Sequence, residues 1–224
     1  ACQPEEVASA DAYPYGGAVG LTVDDHHVYW STLDGNLWRA PVDGGPAALV
    51  ADIGNSSRFL VNDDAHVYTT NILDGQVLRV SKELGAVEVL AEGQDMPTGL
   101  ALDGPYVYCT YETKGEILQR VPREGGTPEI FATGLGWARQ IVSHAGAIYV
   151  VGGDADQVIR VPVDGSLPEP LATSYWGLRA IAVDDTHIYA AEDAAGHISR
   201  APRGGGAAVI LADAEIPYAV LVDD

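Results

Sequence analysis

The stretch Asp24–Gly45, DDHHVYWSTLDGNLWRAPVDGG, decides how the rest of the chain is read, because the chain restates it. In order it gives a turn, an alternating strand led by Val28-Tyr29-Trp30, a loop at Asp34-Gly35, a second strand ending Trp38-Arg39-Ala40-Pro41, and a turn at Asp43-Gly44-Gly45. Its tyrosine returns at Tyr68, Tyr108, Tyr149 and Tyr189, in steps of 39, 40, 41 and 40 residues. Its arginine returns at Arg79, Arg120, Arg160 and Arg200, in steps of 40, 41, 40 and 40. Two independent markers with one period define five structural repeats.

Each repeat reads as four short strands joined by turns. In the first, Gly20–Asp24 is apolar, Val28–Thr32 and Asn36–Val42 alternate, and Pro46–Ala51 is a short outer strand. The turn Asp43-Gly44-Gly45 has residues that tolerate positive φ. It recurs as Glu124-Gly125-Gly126, Asp164-Gly165-Ser166 and Gly204-Gly205-Gly206. Pro41, Pro122, Pro162 and Pro202 follow the arginine, where a residue without an N–H suits a strand end. No segment keeps a helical period, so helix content should be close to nil. Four strands per repeat of about 40 residues is the pattern of a β-propeller blade, a sheet that buries both faces only against its neighbours. The first strand of each blade then lines the central axis, with Leu21, Leu60, Leu100, Ile141 and Ile181 as matching apolar positions.

Val28-Tyr29-Trp30-Ser31-Thr32, followed by Leu33-Asp34-Gly35 and Leu37-Trp38-Arg39-Ala40, resembles the YWTD repeat of six-bladed propellers. Gly134-Leu135-Gly136-Trp137-Ala138-Arg139 resembles the linker of that family, and the whole is similar to bacterial NHL/TolB-like propellers. The resemblance implies six blades, the sixth built from an outer strand at Glu5–Ala8 and an inner strand at Tyr218–Asp223; five blades with spare terminal strands is the alternative. The domain reading is an N-terminal segment over 1–12 and one propeller over 13–224. Its repeats are 19–57, 58–97, 98–138, 139–178 and 179–217, with a partial one at 218–224.

The chain has 224 residues, 47% hydrophobic and 20% charged, as a folded globular protein does. Thirty-two acids against 12 bases give a net charge of −20, which argues against nucleic acid and against an anionic membrane surface, since both need a basic footprint. No apolar run is long enough to span a bilayer. Cys2 and Cys109 are not expected to bridge. Ala1-Cys2 followed by Gln3-Pro4-Glu5-Glu6 looks like the end of a bacterial lipoprotein signal, which points to a secreted, periplasmic or lipid-anchored protein; a monomer is expected.

Three groups of residues invite a functional reading. Asp24, Asp63, Asp103 and Asp184, at the ends of first strands, stand near the recurring Arg39, Arg79, Arg120, Arg160 and Arg200, and an Asp–Arg rivet in each blade is expected; His144 breaks the series in the fourth. His27, His66 and His187 occupy equivalent turns, at least a blade apart and too distant to share a metal at about 2 Å bond lengths. They read as surface turn residues. No cofactor is expected, although Asp154-Ala155-Asp156 and Glu192-Asp193 have the oxygen donors that calcium takes.

The third group opens the innermost strands, at Val19, Arg58, Thr98, Arg139, Arg179 and Tyr218, with Tyr13, Tyr15, Met96, Trp137, Tyr175 and Trp176 nearby. Arg58, Trp137, Arg139, Trp176, Arg179 and Tyr218 form the candidate ligand site, at the mouth of the channel. Aromatic platforms supply area and guanidinium groups supply bidentate hydrogen bonds to a protein, a peptide or an anionic or sugar-like small molecule. The bland alternative is that the tryptophans cap a hydrophobic channel and the arginines neutralise nearby carboxylates. There is no GxSxG elbow, phosphate-binding glycine loop or HExxH, so catalytic residues are not assigned and the chain reads more as a binding module than as an enzyme. A metal-assisted hydrolase or lyase of propeller type, or a scaffold without a small ligand, are the alternatives.

Overall fold

A computed structural model describes residues 17–54, 56–111, 117–152, 156–171 and 177–222. They form five antiparallel sheets of four strands, each in simple chain order. The first is β1 (Ala18–Val23), β2 (His27–Thr32), β3 (Asn36–Pro41) and β4 (Ala48–Asp52); the second is β5 (Ser57–Asn62), β6 (His66–Asn71), β7 (Gln76–Ser81) and β8 (Val87–Ala91). The third is β9 (Pro97–Asp103), β10 (Tyr106–Tyr111), β11 (Ile117–Pro122) and β12 (Glu129–Thr133). The fourth is β13 (Ile141–His144), β14 (Ala147–Gly152), β15 (Gln157–Pro162) and β16 (Glu169–Leu171), and the fifth β17 (Leu178–Val183), β18 (His187–Glu192), β19 (His197–Pro202) and β20 (Val209–Asp213). Among the described residues none is helical.

The chain divides into two compact units, one running to Leu100 and including Val121–Thr127, the other made of Ala101–Arg120 and the chain from Pro128 onward.

The repeat explains the sheets strand by strand. The recurring tyrosine sits in the second strand opposite the recurring arginine in the third: Tyr29 faces Arg39, Tyr68 faces Arg79, Tyr149 faces Arg160 and Tyr189 faces Arg200. Alternation puts the arginine's neighbours two residues away on the same face, where Leu37, Val77, Leu118 and Val158 are completely buried. The prolines close the third strands, and their carbonyls accept from the turn glycines Gly44, Gly125, Gly165 and Gly205. Gly44, Gly125, Gly165 and Gly205 all have φ near +85 to +91°, so the glycine of that turn meets a conformational demand.

Within the first unit, Tyr29, Leu37 and Ile53 pack on Leu60, Val67 and Val80. In the second, Leu118, Leu135 and Ile141 pack with Ile148 and Val161, and Tyr149 and Val158 pack with Ile181 and Ile188. β1 approaches β5 so closely that a Cβ at Gly20 would stand 2.3 Å from the Arg58 carbonyl oxygen.

Two expectations are corrected. Among the described residues the fold has five blades, which fits the five-bladed alternative rather than the six: Tyr218–Val222 form no strand, and Glu5–Ala8 lie outside those residues. Of the five apolar first-strand positions, Leu60, Leu100, Ile141 and Ile181 are buried but Leu21 is 59% exposed; the strand it belongs to is packed chiefly by β2 and β5.

Candidate functional site

The recurring aspartates organise the turns between first and second strands. One carboxylate oxygen of Asp24 accepts from the backbone N–H of His26 and His27, that of Asp63 from Ala65 and His66, and that of Asp184 from Thr186 and His187. In Asp63 and Asp184 the other oxygen accepts the hydroxyl of the recurring tyrosine, from Tyr68 at 2.7 Å and Tyr189 at 2.9 Å. The histidines expected as surface turn residues lie against those tyrosine rings, His27 on Tyr29, His66 on Tyr68 and His187 on Tyr189, with centroids 5.9–6.1 Å apart.

The Asp–Arg rivets expected within each blade are rearranged. Arg79, Arg120 and Arg160 pair with the outer-strand residue directly opposite, Glu88, Glu129 and Glu169. The register leaves Ala48 and Val209 opposite Arg39 and Arg200, so these two lack that partner. Arg39 instead donates to the Lys82 carbonyl at 2.7 Å, and Arg200 acts on the Tyr189 hydroxyl, favouring its ionised form while Asp184 disfavours it. Arg120 also lies over the rings of Tyr106 and Phe131, at 4.2 and 4.6 Å.

The aspartates reach instead to a residue that sequence reading missed, three places after the recurring arginine in the next blade. Lys82 Nζ donates to Asp24 at 2.6 Å, and Arg123 Nη1 donates to Asp63 at 3.2 Å. Burial pushes the Asp24 carboxyl up, but the Lys82 hydrogen bond and the two backbone donors outweigh it and hold the group well below the usual carboxylate range. In Asp63 burial is likewise outweighed, by the Tyr68 hydroxyl and the backbone donors of the turn. Asp103 meets Val163 at this position of the repeat and accepts from Ser143 Oγ at 2.8 Å instead. The signal available beforehand was the short series Lys82, Arg123, Val163, Arg203, broken by the valine.

The candidate ligand residues divide by unit. Arg58 is exposed on the first. On the second, Trp137 is 59% exposed, Arg139 and Arg179 are exposed, and Tyr218 is 67% exposed. Arg139 directly precedes Gln140 and β13, and the Gln140 side-chain oxygen accepts the Ile181 N–H of β17 at 2.8 Å, so the chain starts carrying Arg139 and Arg179 are laced together. Arg179 is held by Asp193 at 2.6 Å and lies 5.1 Å from the centre of the Tyr218 ring, which makes a cation–π pair. Trp176, Tyr175, Tyr13 and Tyr15 lie outside the described residues. Of the acids considered for calcium, Asp193 is taken by Arg179, Asp156 accepts the Gly177 N–H, and Glu192 is buried against Ser199 and His197; Asp154 lies outside the described residues. Among the described residues no group of three His, Cys, Asp or Glu side chains is arranged to hold a metal ion.

No protein-family model matches this chain, and no curated protein matches it. Solved structures do. A chain of the crystal structure of a nidogen/laminin complex is 20% identical, with a TM-score of 0.72 over 88% of this chain and 82% of that one. A streptogramin B lyase structure is 14% identical, with a TM-score of 0.78 over 95% of this chain and 76% of that one. At such identities the likeness speaks for the fold: an all-β propeller of four-stranded blades.

Proposed function

We propose that this chain is a non-catalytic binding module that engages a protein or peptide partner through Trp137, Arg139, Arg179 and Tyr218. The observation that carries the reading is two arginines at the starts of adjoining first strands, flanked by an exposed tryptophan and an exposed tyrosine. Tryptophan, tyrosine and arginine are the residues that dominate binding energy at interfaces. With Arg179 paired to Asp193, Arg139 supplies the cation that favours an acidic or polar partner surface over a basic one. A similar propeller in a complex of two proteins supports a binding role. We read the repeat as YWTD-like or NHL/TolB-like, and the protein as working outside the cytoplasm, on the sequence features of its repeat. Arg58, exposed on the first unit, and Trp176, outside the described residues, remain further candidates on the sequence pattern alone.

A melting-temperature screen with acidic peptides, sugar acids and divalent cations tests it, since a ligand that binds the native state raises apparent stability. An upward shift with an anionic peptide, lost in an Arg139→Ala/Arg179→Ala variant that still folds, is the expected result. A shift with metal ions alone would replace this reading by the hydrolase or lyase one. A shift with none of them would leave a scaffold without a small ligand.

A further inference from the structure

The geometry points to a second, separate site: a carboxylate-binding cleft between the fourth and fifth sheets, built from Tyr149, Arg160 and Arg203. The argument comes from comparing one blade junction with its sister inside the same chain. Within the first unit, Asp63 is held by the Tyr68 hydroxyl and by Arg123, with Arg79 beside them. A second carboxylate, Glu124, joins Arg79 at 3.0 Å, and Arg79 also donates to the Arg123 carbonyl. Asp63, only 25% exposed, therefore occupies the space among one tyrosine and two arginines, and the exposed Glu124 adds a second carboxylate at its edge beside Glu88.

The repeat places Tyr149, Arg160 and Arg203 at the positions of Tyr68, Arg79 and Arg123. It replaces both carboxylates: His144 stands where Asp63 stood, and Gly204 where Glu124 stood. What remains is a cleft of about 400 Å³ lined by Tyr149, Arg160, Glu169, Asp185, Arg203 and Gly204, among others. Arg203 Nη1 is buried and makes no hydrogen bond; the nearest acid, Asp185, is 3.6 Å away and 89% exposed. Asp185 is also engaged by His144 at 3.1 Å, so it is drawn to the rim, and Glu169, which holds Arg160 at 3.3 Å, is likewise largely exposed. The donor set that binds a carboxylate at the sister junction is thus retained, while the chain's own carboxylate is gone. A small organic acid presenting one carboxylate matches what is missing: two oxygens for the guanidinium of Arg203 and the hydroxyl of Tyr149. This site lies on different residues from the exposed arginines of the proposed partner surface and does not rest on that reading.

The test uses the whole chain and acetate as probe, with chloride at equal ionic strength as reference. Acetate at ten times its Kd should raise the melting temperature by about 3 °C over chloride. His144→Asp should raise the melting temperature in chloride and abolish the response to acetate, because the chain then supplies the carboxylate itself. Arg203→Gln, kept in case that variant fails to fold, should lose the response and the broadening of the acetate NMR line. Arg139→Ala/Arg179→Ala should keep both, which separates failure here from failure of the partner surface. An acetate effect no larger than that of chloride, or one undiminished in both His144→Asp and Arg203→Gln, would overturn the proposal.

Discussion

Lys82 of the second blade reaches back to Asp24 of the first, with its Nζ 2.6 Å from the carboxylate and 2.8 Å from Asn62 Oδ1. The lysine side chain is only 9% exposed, and its ammonium also lies 5.1 Å from the centre of the Tyr29 ring. Removing one partner of a buried pair leaves the other charge uncompensated, a loss of about 3–5 kcal/mol when both are fully buried. Asp24 retains some solvent contact, so Lys82→Ala should cost less, roughly 2 kcal/mol. Urea denaturation would read this as a lowered midpoint. An unchanged midpoint would make the pair a surface contact of no weight.

Asp63 carries the acid sensitivity of its junction. Its carboxyl is held below the ordinary value of about 3.9. A group depressed in the folded state adds stability above its unfolded pKa and loses it as pH falls through the folded one. The melting temperature of the native protein should therefore fall more steeply below pH 4 than that of Asp63→Asn, and the two should run parallel between pH 5 and 7. Parallel curves throughout would show that the Tyr68 and backbone hydrogen bonds do not favour the ionised form.

Among the described residues Asp103 pairs with no basic side chain: Val163 stands where Lys82 and Arg123 stand in other repeats. Val163→Lys should form the missing link and stabilise by about 0.5–1 kcal/mol, the value of a partly exposed pair. The gain should vanish when Asp103→Asn is added, which a double-mutant cycle measures.

The β13–β14 hairpin turns on Ala145-Gly146, with φ of 46° and 73°. A left-handed alanine costs roughly 1–2 kcal/mol. Asn and Gly adopt that conformation readily, so Ala145→Gly or Ala145→Asn should raise the melting temperature by about 2–4 °C. A fall would mean that the methyl group has a packing role.

Burial pushes the Cys109 thiol up to about 12, against the smaller effect of its hydrogen bond with Tyr111 at 3.0 Å. The thiolate is the reactive form. In a Cys2→Ser background at pH 8, Cys109 should stay silent toward a thiol reagent until denaturant is added. Reaction in the native protein at a rate typical of a free thiol would mean that the third sheet opens readily.

The sheets themselves were legible because Tyr29 and Arg39 have successors at one spacing, and the turn glycines and strand-ending prolines keep that spacing too. Helix was excluded on the same pattern. The ionic links were not legible. Arg79 and Glu88 are close in sequence, yet only the register across β7 and β8 makes them opposite, and the matching positions read Ala48 and Val209 in the end repeats. Asp24 and Lys82 are 58 residues apart, and the series to which Lys82 belongs mixes Lys, Arg and Val, so no single residue type marks it. Of the candidate ligand site, the placing of Arg139 and Arg179 at the starts of first strands was readable. The hold of Asp193 on Arg179 was not, because it depends on the register that sets the end of β18 beside the start of β17 rather than on the local sequence. The number of blades hung on terminal segments whose pairing no periodicity could fix.

β20 has a consequence for the protein in solution. It is the outermost strand of its sheet, and Val209, Ile210, Leu211 and Ala212 are all exposed, so both of its sides are apolar. Edge strands are ordinarily kept from joining their copies by a local lysine, proline or bulge. β20 has a register shift between Ile198 and Ser199 of its partner strand, but no lysine or proline of its own. Beyond that irregularity, what keeps molecules apart is the long-range repulsion of a net charge of −20, a colloidal property. That repulsion disappears near the isoelectric point of about 4.3 and is shortened by salt, while the strand is unchanged. Solubility of the folded protein is therefore governed by the medium, with mildly acidic, salty solutions as the conditions under which strand edges meet.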